Sequence, residues 1–177
     1  TAKTGWSRWT TSTAASSRRY DDPMGARTLL SEEEFLALPE SAGKQELIDG
    51  ELIESPAATD SHDELSRRLA ELFRTALDTS RIWIETSYRV GSHWVKPDVS
   101  VSWPGQPVEN DYKQNSPMLA VEITSRGNTP DELERKRILY LAHGAAEVWV
   151  IYPKTHTLLV ARPDSSIHIA ASEDYRC

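Results

Sequence analysis

Two acids sit where a folded chain rarely puts them. Asp98 lies in Lys96-Pro97-Asp98-Val99-Ser100-Val101 and Glu122 in Leu119-Ala120-Val121-Glu122-Ile123-Thr124. Both runs read as β-strands with apolar neighbours, and burying an unpaired carboxylate is costly. Two such groups on neighbouring strands repel each other unless a cation lies between them. A pair of strand carboxylates is therefore a seat for a hard divalent ion such as magnesium, which prefers oxygen ligands.

The strand period fixes which way they point. Asp98, Ser100 and Ser102 share one face of their strand and Val99, Val101 and Trp103 the other. In the next strand Ala120, Glu122 and Thr124 share a face opposite Leu119, Val121 and Ile123. Antiparallel pairing would bring the start of one strand beside the end of the other, and with it Asp98 beside Glu122. The result is a small polar cleft. Lys136 is the third element: Leu133, Lys136, Arg137, Tyr140 and Leu141 form a helical stripe that should pack on the sheet. Its stem can lie on apolar surface while the ammonium projects past it into the cleft. There it could orient a water or offset charge on a phosphate.

The elements that would position these groups are marked by local signals. Ser31 with Glu34 is a capping box opening a short helix that Pro39 ends. Residues 46–54 read as two short strands around an Asp49-Gly50 turn, a dipeptide suited to a type I′ hairpin. Ser61 with Glu64 opens a second helix, with Leu65, Leu69, Leu72, Phe73, Ala76 and Leu77 at helical spacing. Strands are expected over 82–90, 98–103 and 118–124, with a loop over 104–117. Thr129, Pro130 and Glu132 open a third helix that stops near Gly144. Strands at 147–152 and 157–161 follow, and a further one at 167–170. The order of helix, three strands, helix and strand, preceded by a hairpin, gives an α/β (α+β) domain with a mixed sheet.

Composition bounds the rest. The chain has 177 residues, 38% of them hydrophobic, enough for one ordinary core. Its formal net charge of −7 argues against a histone-like coating of nucleic acid and leaves room for a local basic groove. Cys177 is the single cysteine, so no disulfide framework or cysteine zinc site exists, and the five histidines lack metal-ligand spacing. No apolar stretch approaches a spanning helix, and a cytoplasmic protein without membrane contact is expected. Residues 1–27, Arg- and Ser-rich up to Tyr20, read as a disordered or non-native extension, with Met24 a candidate start; a transit peptide is the minor alternative. Residues 28–170 read as one domain and 171–177 as a tail cut short. No Gly-rich loop follows a strand and no GxSxG motif occurs, which leaves nucleotide-cradling and serine-hydrolase sites unsupported.

At this point the chain resembles a known family. Glu46-Leu47-Ile48-Asp49-Gly50-Glu51-Leu52, then Ser55-Pro56 and Ser61-His62, are similar to the opening of the Uma-two endonucleases. Pro97-Asp98-Val99, Val121-Glu122-Ile123-Thr124-Ser125, the Lys136-x-x-x-Tyr140 step and Gly144 leading to Glu147-Val148-Trp149-Val150 continue it. The resemblance spans about residues 28–163 and points to the PD-(D/E)XK (restriction endonuclease-like) superfamily. It implies a DNA endonuclease using Mg²⁺ or Mn²⁺, with Asp98, Glu122 and the Ile123 carbonyl as metal ligands. By the same resemblance Lys136 assists the water or the phosphate, and Glu46 is an outer ligand or water-orienting group. Cutting both strands would call for a homodimer. Thr124 stands where the superfamily pattern has its lysine, so Lys136 would be a migrated one; Val148 and Tyr152 also depart from the family's usual Tyr and Asp.

The same residues admit blander readings. Asp98 could start a strand, Glu122 could form a buried ion pair with Lys136 or Arg126, and Glu46 and Glu51 could be cross-strand surface charges. A non-catalytic nucleic-acid-binding relative is the other alternative. Arg126, Arg135, Lys136 and Arg137 could rim a phosphate site or belong to a mixed-charge helix surface, and Trp94 and Trp103 could stack on bases or fill core. His62 reads as a first-turn residue rather than a ligand, and His93 and Lys96 as loop residues within reach of phosphate.

Overall fold

The computed structural model describes residues 29–125 and 127–170. The extension 1–27, the tail 171–177 and Arg126 lie outside the described residues.

Helix α1 (Glu32–Leu36) starts as its capping box requires: Ser31 accepts from the Glu34 backbone N–H while Glu34 reaches back to Ser31. Strands β1 (Lys44–Ile48) and β2 (Glu51–Ser55) form the expected hairpin. Asp49 and Gly50 have φ of 55° and 78°, the two left-handed residues of a type I′ turn. Gly43 enters β1 so close to β2 that any Cβ there would collide with the Ser55 carbonyl oxygen. Helix α2 (Asp60–Ala76) begins at an N-cap two residues earlier than the Ser61 cap the sequence suggests, at Thr59. Its buried positions are Ser66, Ala70 and Phe73, while Leu72 is exposed: the inward stripe is narrower and rotated from the leucine pattern.

The segment 82–90 is two strands rather than one. β3 (Ile82–Ile84) and β4 (Tyr88–Val90) belong to different sheets. The break is at Glu85, whose φ of 47° turns the chain while its N–H donates to the Asp98 carbonyl at 3.1 Å. After β5 (His93–Val95) and β6 (Val99–Val101), the expected 104–117 loop carries a small hairpin, β7 (Val108–Glu109) and β8 (Tyr112–Gln114). Asn110 and Asp111, both at positive φ, make its turn. Strand β9 (Leu119–Ile123), helix α3 (Pro130–Ala142) and strand β10 (Glu147–Tyr152) form a βαβ unit with β9 and β10 parallel. β11 (Thr157–Arg162) and β12 (Ser165–Ala170) complete the chain as antiparallel neighbours.

Two mixed six-stranded sheets result, in the orders β2-β1-β5-β4-β8-β7 and β12-β11-β10-β9-β6-β3. One core lies between both sheets and α3, with Ile48, Tyr88, Val95, Ala120, Tyr140 and Val148 in contact. A second packs Ala70 and Phe73 of α2 on Ile82, Val99, Val101 and Val121. Each buried Val or Ile there contributes about 1.5–3 kcal/mol relative to exposure. The Tyr88 hydroxyl bonds Ser100 at 2.9 Å and Ser102 at 3.1 Å, tying one sheet to the other on the face that carries Asp98. Among the described residues, no helix is long and apolar enough to cross a membrane.

Candidate active site

The expected pairing of the two acid-bearing strands is present. β6 and β9 run antiparallel with Val99 opposite Val121, so Asp98, one residue before β6, faces Glu122 near the end of β9. The alternation that sends Val99 and Val121 against α2 sends both carboxylates to the other face. There β1 and α3 meet them, and Glu46, Asp98, Glu122 and Lys136 are each at most 3% exposed. All four line one cleft of about 840 Å³.

Lys136 is the hub. Its ammonium lies 2.7 Å from Glu122 Oε1 and 2.9 Å from Glu46 Oε1. The buried stripe of α3 that delivers it is Leu133, Lys136, Leu139 and Tyr140; Arg137 turns away to pair with Glu134. One turn on from Lys136, the Tyr140 hydroxyl donates to the same Glu122 oxygen at 2.9 Å. Among the described residues no hydrogen bond reaches Glu122 Oε2. Glu46 also accepts from the Lys96 backbone N–H at 2.7 Å, which joins β1 to the segment leading into Asp98.

Asp98 has its own partners, two of them beyond the sequence-derived set. Lys44 Nζ lies 2.5 Å from Oδ1. The Ile123 N–H donates to Oδ2 at 2.6 Å, and His62 Nε2 stands 3.3 Å from that oxygen. His62 is a first-turn residue of α2, as its position suggests, yet it stands beside Asp98, and its buried Nδ1 has no hydrogen-bond partner among the described residues. Lys44 is two residues before Glu46 on a strand, hence on its face; that spacing was the available signal. His62 offered its place at a helix start and in the Ser61-His62 step of the family resemblance, but its contact with Asp98 was not legible, because only tertiary packing brings α2 to β6.

The charges are strongly coupled. Burial opposes ionisation of Asp98, but the His62 hydrogen bond and the Lys44 and Lys136 charges outweigh it and hold the carboxyl well below its usual range. Burial pushes Glu122 up to about 7 against the pull of Lys136, with Asp98 and Glu46 adding to the rise. Burial likewise opposes the Lys136 charge, and the Glu122, Glu46 and Asp98 carboxylates more than compensate, so the ammonium stays charged. The Asp98 hydrogen bond raises His62 against burial.

Other candidates fall elsewhere. Arg135 bonds Glu51 at 2.9 Å and Asp49 at 3.1 Å, bolting α3 to the hairpin, so with Arg137 on Glu134 the helix presents no phosphate rim among the described residues. Glu51 therefore anchors the hairpin, whereas Glu46 lines the cleft beside Lys136. Trp94 is core, packed on Phe35 and Tyr112; Trp103 is 40% exposed and bonds the Gly144 carbonyl. His93 lies in β5, accepting from the Asp49 N–H.

Carboxylate oxygens are the right chemistry for a hard cation, and Asp98 and Glu122 reach the cleft at facing register. Among the described residues, no three His, Cys, Asp or Glu side chains form a ready-made ligand cluster; lysines now hold the acids. A family model described as "Uma2: Putative restriction endonuclease" matches residues 32–174. The chain belongs to the Uma2 family. A solved structure, a putative nuclease belonging to DUF820 from Anabaena variabilis ATCC 29413, shares the fold with a TM-score of 0.74 at 24% identity. The match covers 80% of this chain and 85% of that one. No curated protein matches. A Uma2 fold thus presents three buried carboxylates, the buried Lys136 and the part-buried Lys44 on one open cleft.

Proposed function

We propose that this Uma2 chain is an endonuclease that hydrolyses DNA phosphodiester bonds in the cytoplasm, using Mg²⁺ or Mn²⁺ held by Asp98, Glu122 and the Ile123 carbonyl. The observation that carries the reading is the Lys136 ammonium bridging Glu122 and Glu46 on the wall of a cleft that also takes in Asp98. The residues fit a divalent ion in two respects. Three carboxylates face two ammonium groups, and Glu122 Oε2 receives no hydrogen bond among the described residues. When bound, the ion would acidify an attacking water and offset charge on the phosphate.

The chain's own groups do the rest. Lys44 and His62 keep Asp98 ionised and fixed, and Tyr140 holds the Glu122 carboxylate in one orientation. Lys136, kept charged, is placed to orient the nucleophilic water or to stabilise negative charge building on the phosphoryl oxygens. Glu46 anchors Lys136 and, in an outer position, can accept a hydrogen bond from that water. Cleavage of both strands would use two copies of the chain.

The Glu122–Lys136 contact also suits a purely structural ion pair, or a binding relative without turnover. A structural pair needs no opening to solvent, whereas this one lines an open cleft. The discriminating assay is conversion of supercoiled plasmid with Mg²⁺, Mn²⁺ or EDTA. Nicking with either ion and none in EDTA is the expected result; no cutting under any condition gives the site to the other readings.

A further inference from the structure

Acidic residues outnumber basic ones in this chain, 27 to 20, so a cation without an anion is conspicuous. Among the described residues, nearly every Lys and Arg side chain is engaged. Lys44 and Lys136 hold the site carboxylates, and Arg67, Arg68, Arg74, Arg89, Arg135, Arg137 and Arg162 pair with acids. Arg81 donates to the Ser102 carbonyl, and Lys113 sits over the Trp83 ring at 3.8 Å. Two side chains remain, Lys96 and Lys154, and both line the cleft that holds Asp98 and Glu122.

Their places in the fold make the coincidence informative. Lys96 follows β5 of one sheet and stands two residues before Asp98; its backbone is fixed by the N–H bond to Glu46. Lys154 lies in the turn between β10 and β11 of the other sheet. β10 runs beside β9, with Ile151 opposite Ile123, so the turn lies beyond the Glu122 end of β9. The two free ammonium groups therefore come from either sheet, around the buried acids. Glu85 is the single acid on the cleft wall with no cation partner among the described residues.

We infer that Lys96 and Lys154 are two phosphate anchors, gripping a DNA backbone that crosses the cleft so that a phosphodiester between them meets the acid pair. The inference rests on the proposed DNA-endonuclease reading of the site and adds how the strand is held: by at least two phosphates beyond the one that is cut, on Lys96 and Lys154. Such contacts position the strand and carry no sequence information. They act through displaced counterions, so their signature is the salt dependence of binding.

The test is fluorescence anisotropy of a labelled DNA duplex across a salt series, with calcium supplying divalent charge. Wild type is compared with Lys96→Ala, Lys154→Ala and the double variant, with Arg68→Ala on the exposed face of α2 as control. Each lysine removed is expected to reduce the slope of log affinity against log salt by about 0.9. From about 50 to 200 mM salt, the double variant then loses about twelvefold less affinity than wild type. Lysine-to-arginine variants should restore the slope, melting temperatures should not move, and Glu85→Gln should tighten binding. An unchanged slope in the double variant, or no binding by wild type, overturns the inference. Plasmid nicking by the same proteins separates it from the site reading. Nicking with an unaltered slope fails the anchors alone, and an altered slope without nicking fails the nuclease alone.

Discussion

Lys136→Met is expected to destabilise the fold by about 3–5 kcal/mol at neutral pH, the cost of leaving buried charge without its partner. Met fills most of the volume of the lysine stem, so packing against Leu133 and Tyr140 is largely kept and the loss is electrostatic. Glu46 and Glu122, both 2% exposed, are left with no ammonium between them. The sign with pH follows. Glu122 already titrates at about 7 in the folded chain, above its ordinary 4.5, and without Lys136 it moves higher. The folded variant then binds a proton that the unfolded chain has released, so its stability falls as pH rises from about 4.5 through the folded value. Equilibrium denaturation at pH 5 and pH 8 checks this, with the larger deficit expected at pH 8. Adding Glu122→Gln to Lys136→Met should recover part of the loss, since the two residues touch. A deficit of a few tenths of a kcal/mol, the behaviour of a solvated surface lysine, would contradict the bridge.

Asp98→Asn is expected to lower Mg²⁺-dependent DNA cleavage at least ~100-fold. Both Asp98 oxygens accept: Oδ1 from Lys44, Oδ2 from the Ile123 N–H with His62 beside it. An asparagine offers one acceptor and turns an N–H₂ toward donors, so part of this arrangement must open. It also removes the charge that holds Lys44 and His62 and that would bind the cation. The stability cost should be ~1–3 kcal/mol, small enough to leave a cooperative thermal transition. Rates and melting curves on one preparation separate the two effects. Cleavage at the wild-type rate would remove Asp98 from the site.

What could be read in advance was what depends on short spacing. The capping boxes at Ser31/Glu34 and Thr129/Glu132 both form, because a three-residue reach is local. The facing of Asp98 and Glu122 followed from the two-residue strand period, and the inward aim of Lys136 from the helical one. The break at Glu85 was hidden, since nothing in Ile82-Trp83-Ile84-Glu85-Thr86-Ser87-Tyr88 resembles a glycine or proline stop. The β7–β8 hairpin had a signal in Asn110-Asp111, outweighed by the surrounding Pro and Gly. The leucines of α2 misled because Leu72 points outward and the small Ala70 and Ser66 face the sheet. Lys44 and His62 reach Asp98 from 54 and 36 residues away in sequence, a meeting that no local rule encodes.

Glu122 is proposed to belong to a metal-dependent nuclease site rather than to be merely one half of an ion pair. Glu122→Gln keeps the shape and can still accept from Tyr140 and Lys136, but it loses the charge a cation would need. Supercoiled plasmid incubated with magnesium should be nicked by the wild-type protein and left intact by Glu122→Gln. Equal cutting by both proteins would contradict the assignment. So would a wild type that never cuts, paired with a variant whose melting temperature shifts in the absence of any metal.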